Sequence, residues 1–497
     1  MIRVRVFLIL SLLLLIGCNN SSHISSDPQI YDPNGFAISR WFESITPDAQ
    51  PIIQVYNQHN EPVANAQVLI GHRIGNPFPE NFLKTDNKGQ VVVPAWTTKA
   101  SVTVDAKGYI RQTVLNQKPG LLQIKLNAIS IHPRPTLKGQ VTQLPVVNSD
   151  KQVDFGLVIP AFNKSDLINF DLDSIISPFN DKFSVAGMNV ELPSNISLPT
   201  QKESYFIPVT LSKPEYRIIT PNYGPKTFFA LSGRFPFKTV VGEFQDGKPF
   251  YDVLNHFNFT SGSLRDLNVN QPLSVLNIPG TEIIYDSQLN IKGSAVNDNE
   301  VLLSIAMSDI AHKLIPTDVK RSFPGQETKL KSIKGSLAYI VSLLTTKSNL
   351  EGLNLESEEN RSISVLPYLP NSKNKTLPLI TAPQLTENNN GYFISIPEVS
   401  SHEGVNPIAV SLTISKIVDT AENGQTISFV DKEWEILGLT QTQWPKNVSL
   451  PAWPLVATEN QRKIELNLIG SSTDTEATLG QDLLNKTTHV THSALKF

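Results

Sequence analysis

The residues whose types and spacing suit metal binding form three small sets. Asn169, Asp171 and Asp173 alternate with apolar residues, and oxygen-bearing side chains at this spacing open calcium loops. An EF-hand calcium loop also requires glycine at its sixth position and glutamate at its twelfth, and this segment has neither. The alternation therefore favours the polar face of a strand over a calcium site.

The other two sets provide fewer ligands. His489 and His492 stand in a Thr-rich C-terminal segment, where two imidazoles without further ligands make a weak metal site. We expect this segment to be a solvated tail. Asp298, Asn299 and Glu300 are typical of a polar turn. The sequence thus predicts neither a metal nor a cofactor.

Sequence motifs of the well-known hydrolase and nucleotide sites are absent. The chain contains no Gly-x-Ser-x-Gly elbow, no His-Glu-x-x-His zinc helix and no Gly-rich phosphate loop. We therefore predict no catalytic residue and expect the protein not to be an enzyme.

The first 17 residues have the three-part organisation of a secretory signal peptide. Arg3 and Arg5 form a short positive segment, and an apolar run follows from residue 6 to residue 16, interrupted only by Ser11. This run is too short to remain in a membrane as a spanning helix. Cys18, which follows it, is the single cysteine of the chain and has no partner for a disulfide.

Leu15-Ile16-Gly17-Cys18 resembles the bacterial lipobox. The resemblance implies cleavage before Cys18, a diacylglyceryl group on its thiol and acylation of the new amino group. Several acyl chains together give stable anchoring in a lipid bilayer. Asn19 at the next position implies sorting to the outer membrane, with the periplasmic or surface face left open. The alternative is an ordinary cleaved signal peptide followed by a chance cysteine.

The composition is that of a folded protein without affinity for nucleic acid. Hydrophobic residues make up 40% and charged residues 18% of the 497 residues, which is a globular balance. The net charge is −3, and it becomes −5 once Arg3 and Arg5 leave with the signal peptide, whereas a nucleic-acid-binding protein would be basic. No second apolar stretch is long enough to span a membrane. We expect a soluble body tethered at its front end.

Short strands separated by turns are predicted along most of the chain. The 35 prolines and 26 glycines mark many turns, and the stretches between them are rich in residues that favour strands. Residues 408–415 and 464–468 alternate between apolar and polar types. Residues 337–344 fit a helix or a strand, and residues 250–257 fit one short helix. We predict a mainly β fold of tandem β-sandwiches with few short helices.

Three short motifs occur in order near the front of the predicted body: Glu61–Val68, Thr85–Gly89 and Ala106–Tyr109. Their order and spacing resemble the carboxypeptidase regulatory-like domain, a transthyretin-like (prealbumin-like) β-sandwich. That domain often accompanies zinc carboxypeptidases, whose metal site begins with His-x-x-Glu. None of the nine histidines here is followed by glutamate three residues later. The resemblance therefore implies a scaffold module without the peptidase.

We predict five segments along the chain. Residues 1–17 are the signal peptide, and residues 18–48 carry the lipid attachment site and a flexible polar tether. Residues 49–130 form the regulatory-like sandwich. Residues 136–345 form a β-rich middle domain, and residues 375–497 form a C-terminal β-sandwich.

These features predict a lipid-anchored lipoprotein of the bacterial envelope that acts as a structural, adhesive or binding module. Its expected contacts are the bilayer, through acylated Cys18, and envelope proteins or glycans, with no nucleic acid. The alternative is an envelope hydrolase, or an accessory subunit, that acts on glycan or peptide through an unrecognised site in residues 136–497.

Replacing the predicted lipid attachment site tests this interpretation of the leader. We expect Cys18→Ala to move the protein from the membrane fraction to the soluble fraction, because no thiol remains to carry the diacylglyceryl group. Membrane fractionation followed by immunoblotting measures the change, with Ser11→Ala as the control variant in the same leader. Unchanged membrane association of Cys18→Ala would contradict lipid anchoring.

Overall fold

The computed structural model describes residues 50–73, 82–130, 133–144, 152–161, 180–185, 188–198, 213–220, 223–351, 360–370, 373–388, 391–399, 404–422, 425–440, 443–450 and 462–496. The predicted signal peptide, Cys18, the tether and the set Asn169, Asp171 and Asp173 lie outside these residues.

The described chain divides into two compact units. The middle unit takes the described residues of 131–355 and 363–376. The terminal unit takes those of 36–130, 356–362 and 377–497.

The described residues of 50–130 form the first strands of the terminal unit. These are β1 (Ile52–Asn57), β2 (Gln67–Ile70), β3 (Leu83–Lys84), β4 (Gln90–Val92), β5 (Ala100–Asp105), β6 (Arg111–Gln117) and β7 (Leu121–Leu126). β1 pairs with β4 antiparallel and with β7 parallel, and β5 pairs antiparallel with β2 and β6. Alternate residues of β1 and β7 are buried, as in a sheet that covers a core with one face.

The first sandwich of the middle unit consists of two sheets. Its elements are β8 (Thr136–Thr142), β9 (Val153–Pro160), β10 (Asn180–Val185), β11 (Met188–Pro193), β12 (Ile196–Ser197), β13 (Glu215–Ile219), β14 (Gly224–Phe235), α1 (Phe237–Gln245), α2 (Phe250–Val253), a 3₁₀ turn (Leu254–His256), β15 (Asn258–Val269), β16 (Leu273–Val275), β17 (Ile278–Pro279) and β18 (Ile283–Ile284). One sheet has the order β12-β9-β14-β15-β18, and the other has the order β13-β8-β16 with β17 also beside β8. Val158 and Phe228 of the first sheet pack with Leu137 and Tyr216 of the second in one buried core.

The second sandwich of the middle unit follows directly. Its elements are β19 (Ser287–Lys292), β20 (Glu300–Ile310), β21 (Lys313–Ser322), β22 (Glu327–Ser332), β23 (Leu337–Thr346), α3 (Lys347–Glu351) and β24 (Asn360–Pro367), whose first three residues belong to the terminal unit. The sheet β21-β20-β23 faces the pair β19-β22. Ala306 and Ile340 of the sheet pack against Leu289, Ile291 and Leu330 of the pair.

The remaining strands complete the terminal unit. They are β25 (Gln384–Asn388), β26 (Gly391–Ser395), β27 (Asn406–Glu422), β28 (Gln425–Leu439), β29 (Asn447–Leu450), β30 (Arg462–Ser471) and β31 (His489–Lys496), with helix α4 (Gln481–Lys486) before β31. The sheet β31-β30-β27-β28 packs against the sheet β25-β26-β29. Leu412, Ile414 and Leu466 of the first sheet meet Ile394 and Val448 of the second in the core.

One parallel pairing joins the two ends of the chain in the terminal unit. β28 lies beside β6, with Trp434 opposite Arg111 and Glu435 opposite Gln112. The buried Gln112 Nε2 donates to Glu435 Oε2 at 2.7 Å, and Trp434 Nε1 donates to Thr113 Oγ1 at 2.8 Å. The strands therefore form the sheet β31-β30-β27-β28-β6-β5-β2-β3.

The mainly β prediction, with sandwiches and few short helices, is confirmed. Residues 337–344 lie in a strand, and residues 250–256 form α2 and the 3₁₀ turn, with Phe257 extended after them. The β6–β28 pairing lies within the terminal unit, which contains described residues of both 36–130 and 377–497. No helix among the described residues is long and apolar enough to cross a membrane.

The hairpin β20–β21 ends in a strained two-residue turn. Ile310 pairs with Lys313, and the two residues between them, Ala311 and His312, have φ of 51° and 62°. Positive φ at both positions is the pattern of a type I′ turn, which favours Asn and Gly because other L-residues are strained there. Both side chains are exposed, so packing does not offset the strain.

Relieving this strain is expected to stabilise the protein. Ala311→Asn combined with His312→Gly should raise the free energy of unfolding by about 1 kcal/mol, measured by urea denaturation. A loss of stability in the Asn–Gly variant would show that the Ala311–His312 turn is not strained.

Gly335, in the turn between β22 and β23, has φ of 79° and open space around an added Cβ. Gly335→Ala should therefore lower the free energy of unfolding by about 1 kcal/mol, because alanine is strained at positive φ.

Candidate functional site

A cluster of charged and polar side chains lies where the two sandwiches of the middle unit meet. We call this cluster the charged seam. It consists of Asp154, Arg234, Tyr285, Asp318, Lys320 and Lys331. Buried titratable groups with perturbed pKa values mark candidate functional sites, although structural ion-pair networks perturb pKa values as well.

The first sandwich supplies one side of the seam through β9, β14 and β15. Asp154 and Arg234 are direct cross-strand neighbours, and their side chains pair at 3.3 Å. Phe155 follows Asp154 and makes edge contacts with Phe257 and Phe259 at ring-centroid distances of 5.9 Å. This aromatic packing fixes the chain where β15 begins.

The second sandwich contributes two lysines, which bond to backbone carbonyls at the beginning of β15. Lys320 Nζ donates to the carbonyl oxygens of Phe257 at 2.5 Å and Asn255 at 3.2 Å. Lys331 Nζ donates to the carbonyl oxygen of Phe259 at 2.8 Å. These ammonium groups provide hydrogen-bond donors for carbonyl oxygens at the entrance to β15.

Asp318 holds the two lysines in place. Its carboxylate accepts hydrogen bonds from the backbone N–H groups of Val319 and Lys331, each at 2.9 Å, and lies 3.8 Å from Lys320 Nζ. Burial raises the pKa of Asp318 above its ordinary value of 3.8, although the nearby lysines and both backbone donors oppose this shift. Burial also lowers the pKa of Lys320 and of Lys331.

Tyr285 lies in the link between the two sandwiches and closes the seam. Its backbone N–H donates to Thr260 O at 3.1 Å, which attaches the link to β15. Burial, and secondly the charge of Asp318, raise the pKa of the Tyr285 hydroxyl well above its ordinary value. The hydroxyl therefore stays protonated beside the carboxylate.

Arg321 extends the seam to the helical segment between β14 and β15. Its guanidinium pairs with Asp252 and stacks over the rings of Tyr251 and Phe323, at 4.9 Å and 4.7 Å from their centroids. Its backbone N–H donates to Asn255 Oδ1 at 3.0 Å. Arg321 thus binds α2 to the second sandwich through charge, ring stacking and a hydrogen bond.

A histidine–carboxylate pair lies in the same helical segment. His256 Nε2 is 2.8 Å from Glu243 Oε2, and Lys248 Nζ is 2.7 Å from Glu243 Oε1. The hydrogen bond from Lys248 is the main cause that lowers the pKa of Glu243, and the bond from His256 adds to it. A carboxylate that orients an imidazole is one component of an acid–base site.

The predicted site residues have different outcomes. Cys18 and the set Asn169, Asp171 and Asp173 lie outside the described residues. The expectation of a solvated C-terminal tail is wrong, because His489 and His492 are buried in β31, which pairs along its length with β30. His492 Nδ1 is 2.8 Å from Asn467 Oδ1 in that strand.

Two further predictions concern polar turns and metal ligands. Asn297 N–H and Nδ2 both bond to the Glu300 carboxylate, which closes the polar turn expected at residues 298–300. The described part of the chain contains no group of three or more His, Cys, Asp or Glu side chains that could hold a metal ion.

The charged seam was not predicted from the sequence. One local pattern does indicate it. In Asp318-Val319-Lys320-Arg321, three charged residues interrupt a strand whose preceding residues are buried. Charge within a buried strand indicates partners elsewhere in the fold. The partners on β9, β14 and β15 are distant in the sequence, so the pattern alone does not identify them.

Comparison with known proteins gives only remote matches. No protein-family model and no curated protein matches the chain. Among solved structures, the Bacillus anthracis TIE protein is 11% identical, over 65% of this chain and 48% of its own, with a TM-score of 0.13. The Bacillus cereus major pilin subunit BcpA is 9% identical, over 59% of this chain and 86% of its own, with a TM-score of 0.12. The chain thus spans about half the length of the TIE protein, and matches at these TM-scores assign no function.

The raised pKa of Asp318 has a consequence for stability. The unfolded side chain ionises near 3.8, whereas the folded one keeps its proton to higher pH. Its contribution to stability is therefore fully present below pH 3.8 and is lost as the pH rises through the raised folded value.

Asp318→Asn tests this linkage because asparagine does not ionise. We expect the variant to be most destabilised relative to the wild type below pH 3.8, and the difference should shrink with rising pH by at most about 1.4 kcal/mol per pH unit. Urea denaturation at pH values on both sides of 3.8 measures it, with the exposed Asp298→Asn as control. If the loss of stability caused by Asp318→Asn grows as the pH rises, the pKa of Asp318 is not raised in the folded protein.

Proposed function

We propose that this protein is a lipid-anchored structural or adhesive module of the bacterial envelope, held on the outer membrane by acyl chains on Cys18. The support for the anchor is the leader, in which a positive segment and an apolar run precede Leu15-Ile16-Gly17-Cys18. The support for outer-membrane sorting is Asn19.

The structural role is supported by the hydrogen bonds that the charged side chains of the seam make with backbone groups. Lys320 and Lys331 bond to backbone carbonyls of the first sandwich, and Asp318 bonds to backbone N–H groups of the second. These contacts hold two sandwiches as one compact unit. A module that bears load or presents a binding surface requires such rigidity between its parts.

Loops at the ends of the sandwiches are the proposed contact surfaces. Loops carry binding residues on a rigid scaffold more often than strands do, and they tolerate the variation that partner recognition requires. Envelope proteins or glycans are the proposed partners. The resemblance of residues 49–130 to the regulatory-like sandwich supports a scaffold role for that part of the chain.

The second candidate is an envelope hydrolase that acts on glycan or peptide. The His256–Glu243 pair favours it, because the imidazole is one-third exposed and is oriented by a carboxylate. In that role His256 would act as general base toward a bound substrate or water. The pair lies within residues 136–497, where the sequence left room for an unrecognised site.

Complementation of a deletion strain separates the two candidates. We expect His256→Gln to restore adherence and detergent resistance as well as the wild type does, because a structural module does not require the imidazole as a base. Cys18→Ala should fail to restore them, because the body loses its anchor. If His256→Gln is stably expressed at the wild-type level and fails as Cys18→Ala does, the hydrolase becomes the better assignment.

Protease treatment of intact cells locates the body of the protein. Digestion of the wild type by added protease would support adhesion at the surface, whereas protection would exclude adhesion and leave a structural role in the periplasm. A periplasmic protein without a lipid anchor serves as the control for cell integrity.

A further inference from the structure

The Lys213 side chain ends inside a cage of oxygen atoms in the first sandwich. Its Nζ donates to the carbonyl oxygens of Ser194 at 2.9 Å, Ile196 at 2.5 Å and Glu215 at 3.0 Å. The carboxylate of Asp181 is the fourth oxygen ligand, at 2.9 Å. The side chain of Lys213 is 8% exposed, so these oxygens replace its hydration shell.

Three separate segments supply the cage. Ser194 and Ile196 stand at the turn into β12, Glu215 begins β13, and Asp181 lies on β10. β12 is short and pairs with β9 over only two residues, and the Ser194 carbonyl oxygen also accepts a hydrogen bond from the backbone N–H of Arg217 at 2.7 Å. No single strand could present N–H donors to all three carbonyls, since an extended backbone directs successive donors to opposite edges.

The charge of the cage suits a single positive ion. The carboxylates of Asp181 and Glu215 favour the positive charge of Lys213, and the guanidinium of Arg217, 3.7 Å from the other oxygen of Asp181, opposes it. Two carboxylates and one guanidinium leave a net charge of −1 around the ammonium group. Four oxygen ligands are fewer than the six to eight that Ca²⁺ takes. The distances to Ser194 and Glu215, 2.9 Å and 3.0 Å, are those of N–H···O hydrogen bonds from an ammonium group.

We infer that these four oxygens form a binding site for a monovalent cation of ammonium size, which the protein fills with its own Lys213 side chain. The wild-type sandwich therefore closes without a dissolved ion. If the side chain is removed, the carbonyls remain converged and the vacated site selects ammonium over larger cations that cannot donate hydrogen bonds.

Chemical rescue of Lys213→Ala tests this inference on the full chain. The variant should have a lower melting temperature than the wild type. Ammonium chloride should raise that temperature, and the rise should follow the logarithm of the ammonium concentration above the dissociation constant of the site. Tetramethylammonium chloride at the same ionic strength should not, because it has no N–H donor. The melting temperature of the wild type should respond equally to both salts.

Leu157→Ala is the matched control for a cavity without oxygen ligands. Leu157 is fully buried on β9, directly opposite Ile196, so its truncation destabilises the same part of the sandwich and opens an apolar space. Ammonium should not stabilise this variant more than tetramethylammonium does. Equal responses of Lys213→Ala to both salts, or an ammonium-specific response of Leu157→Ala, would overturn the inference.

A second measurement requires no destabilised variant. In the wild type labelled with ¹⁵N, the ammonium group of Lys213 should give a slowly exchanging NH₃⁺ signal, because its three protons are bonded and shielded from water. The signal is assigned through the carbons of its side chain. Rapid exchange of the Lys213 ammonium protons with solvent would show that the cage is open, and the inference would fail.

Discussion

In the middle unit, lysine ammonium groups bond to backbone carbonyls near the points where strands begin. Lys213 bonds three carbonyls where β12 and β13 begin, and Lys320 and Lys331 bond three more where β15 begins. An ammonium group has three donors on a flexible stem, so one lysine can bond to several carbonyls from different segments. Each burial is made tolerable by a carboxylate, Asp181 in one case and Asp318 in the other.

Segments that are distant in the sequence are joined by different interactions in the two units. In the middle unit, charged side chains connect one sandwich to the next at the seam. In the terminal unit, backbone pairing of β6 with β28 continues one sheet across segments more than 300 residues apart, and Gln112 and Trp434 add hydrogen bonds.

Alternating patterns were predictable because a period of two is a local property of the chain. Residues 408–415 and 464–468 lie in β27 and β30 as their alternation indicated. Residues 337–344 were ambiguous, because a continuous apolar run fits a buried strand or a helix, and pairing with β20 decides for the strand. The Thr-rich end containing His489 looked like a tail, but pairing with β30 buries it, and no local pattern predicts a distant partner.

The sequence by itself determined the mainly β character of the chain, its many turns and the short polar turn at residues 298–300, since these depend on neighbouring residues. It also contained the leader motif at Cys18, on which the proposed anchor rests. The tertiary structure alone decided that Lys213 and Asp318 are buried, that Lys320 lies beside Asp318, and that segments from before and after the middle unit share one unit. The physical reason is range: strand propensity acts between adjacent residues, whereas desolvation and hydrogen bonding of buried charges depend on segments that only folding brings together.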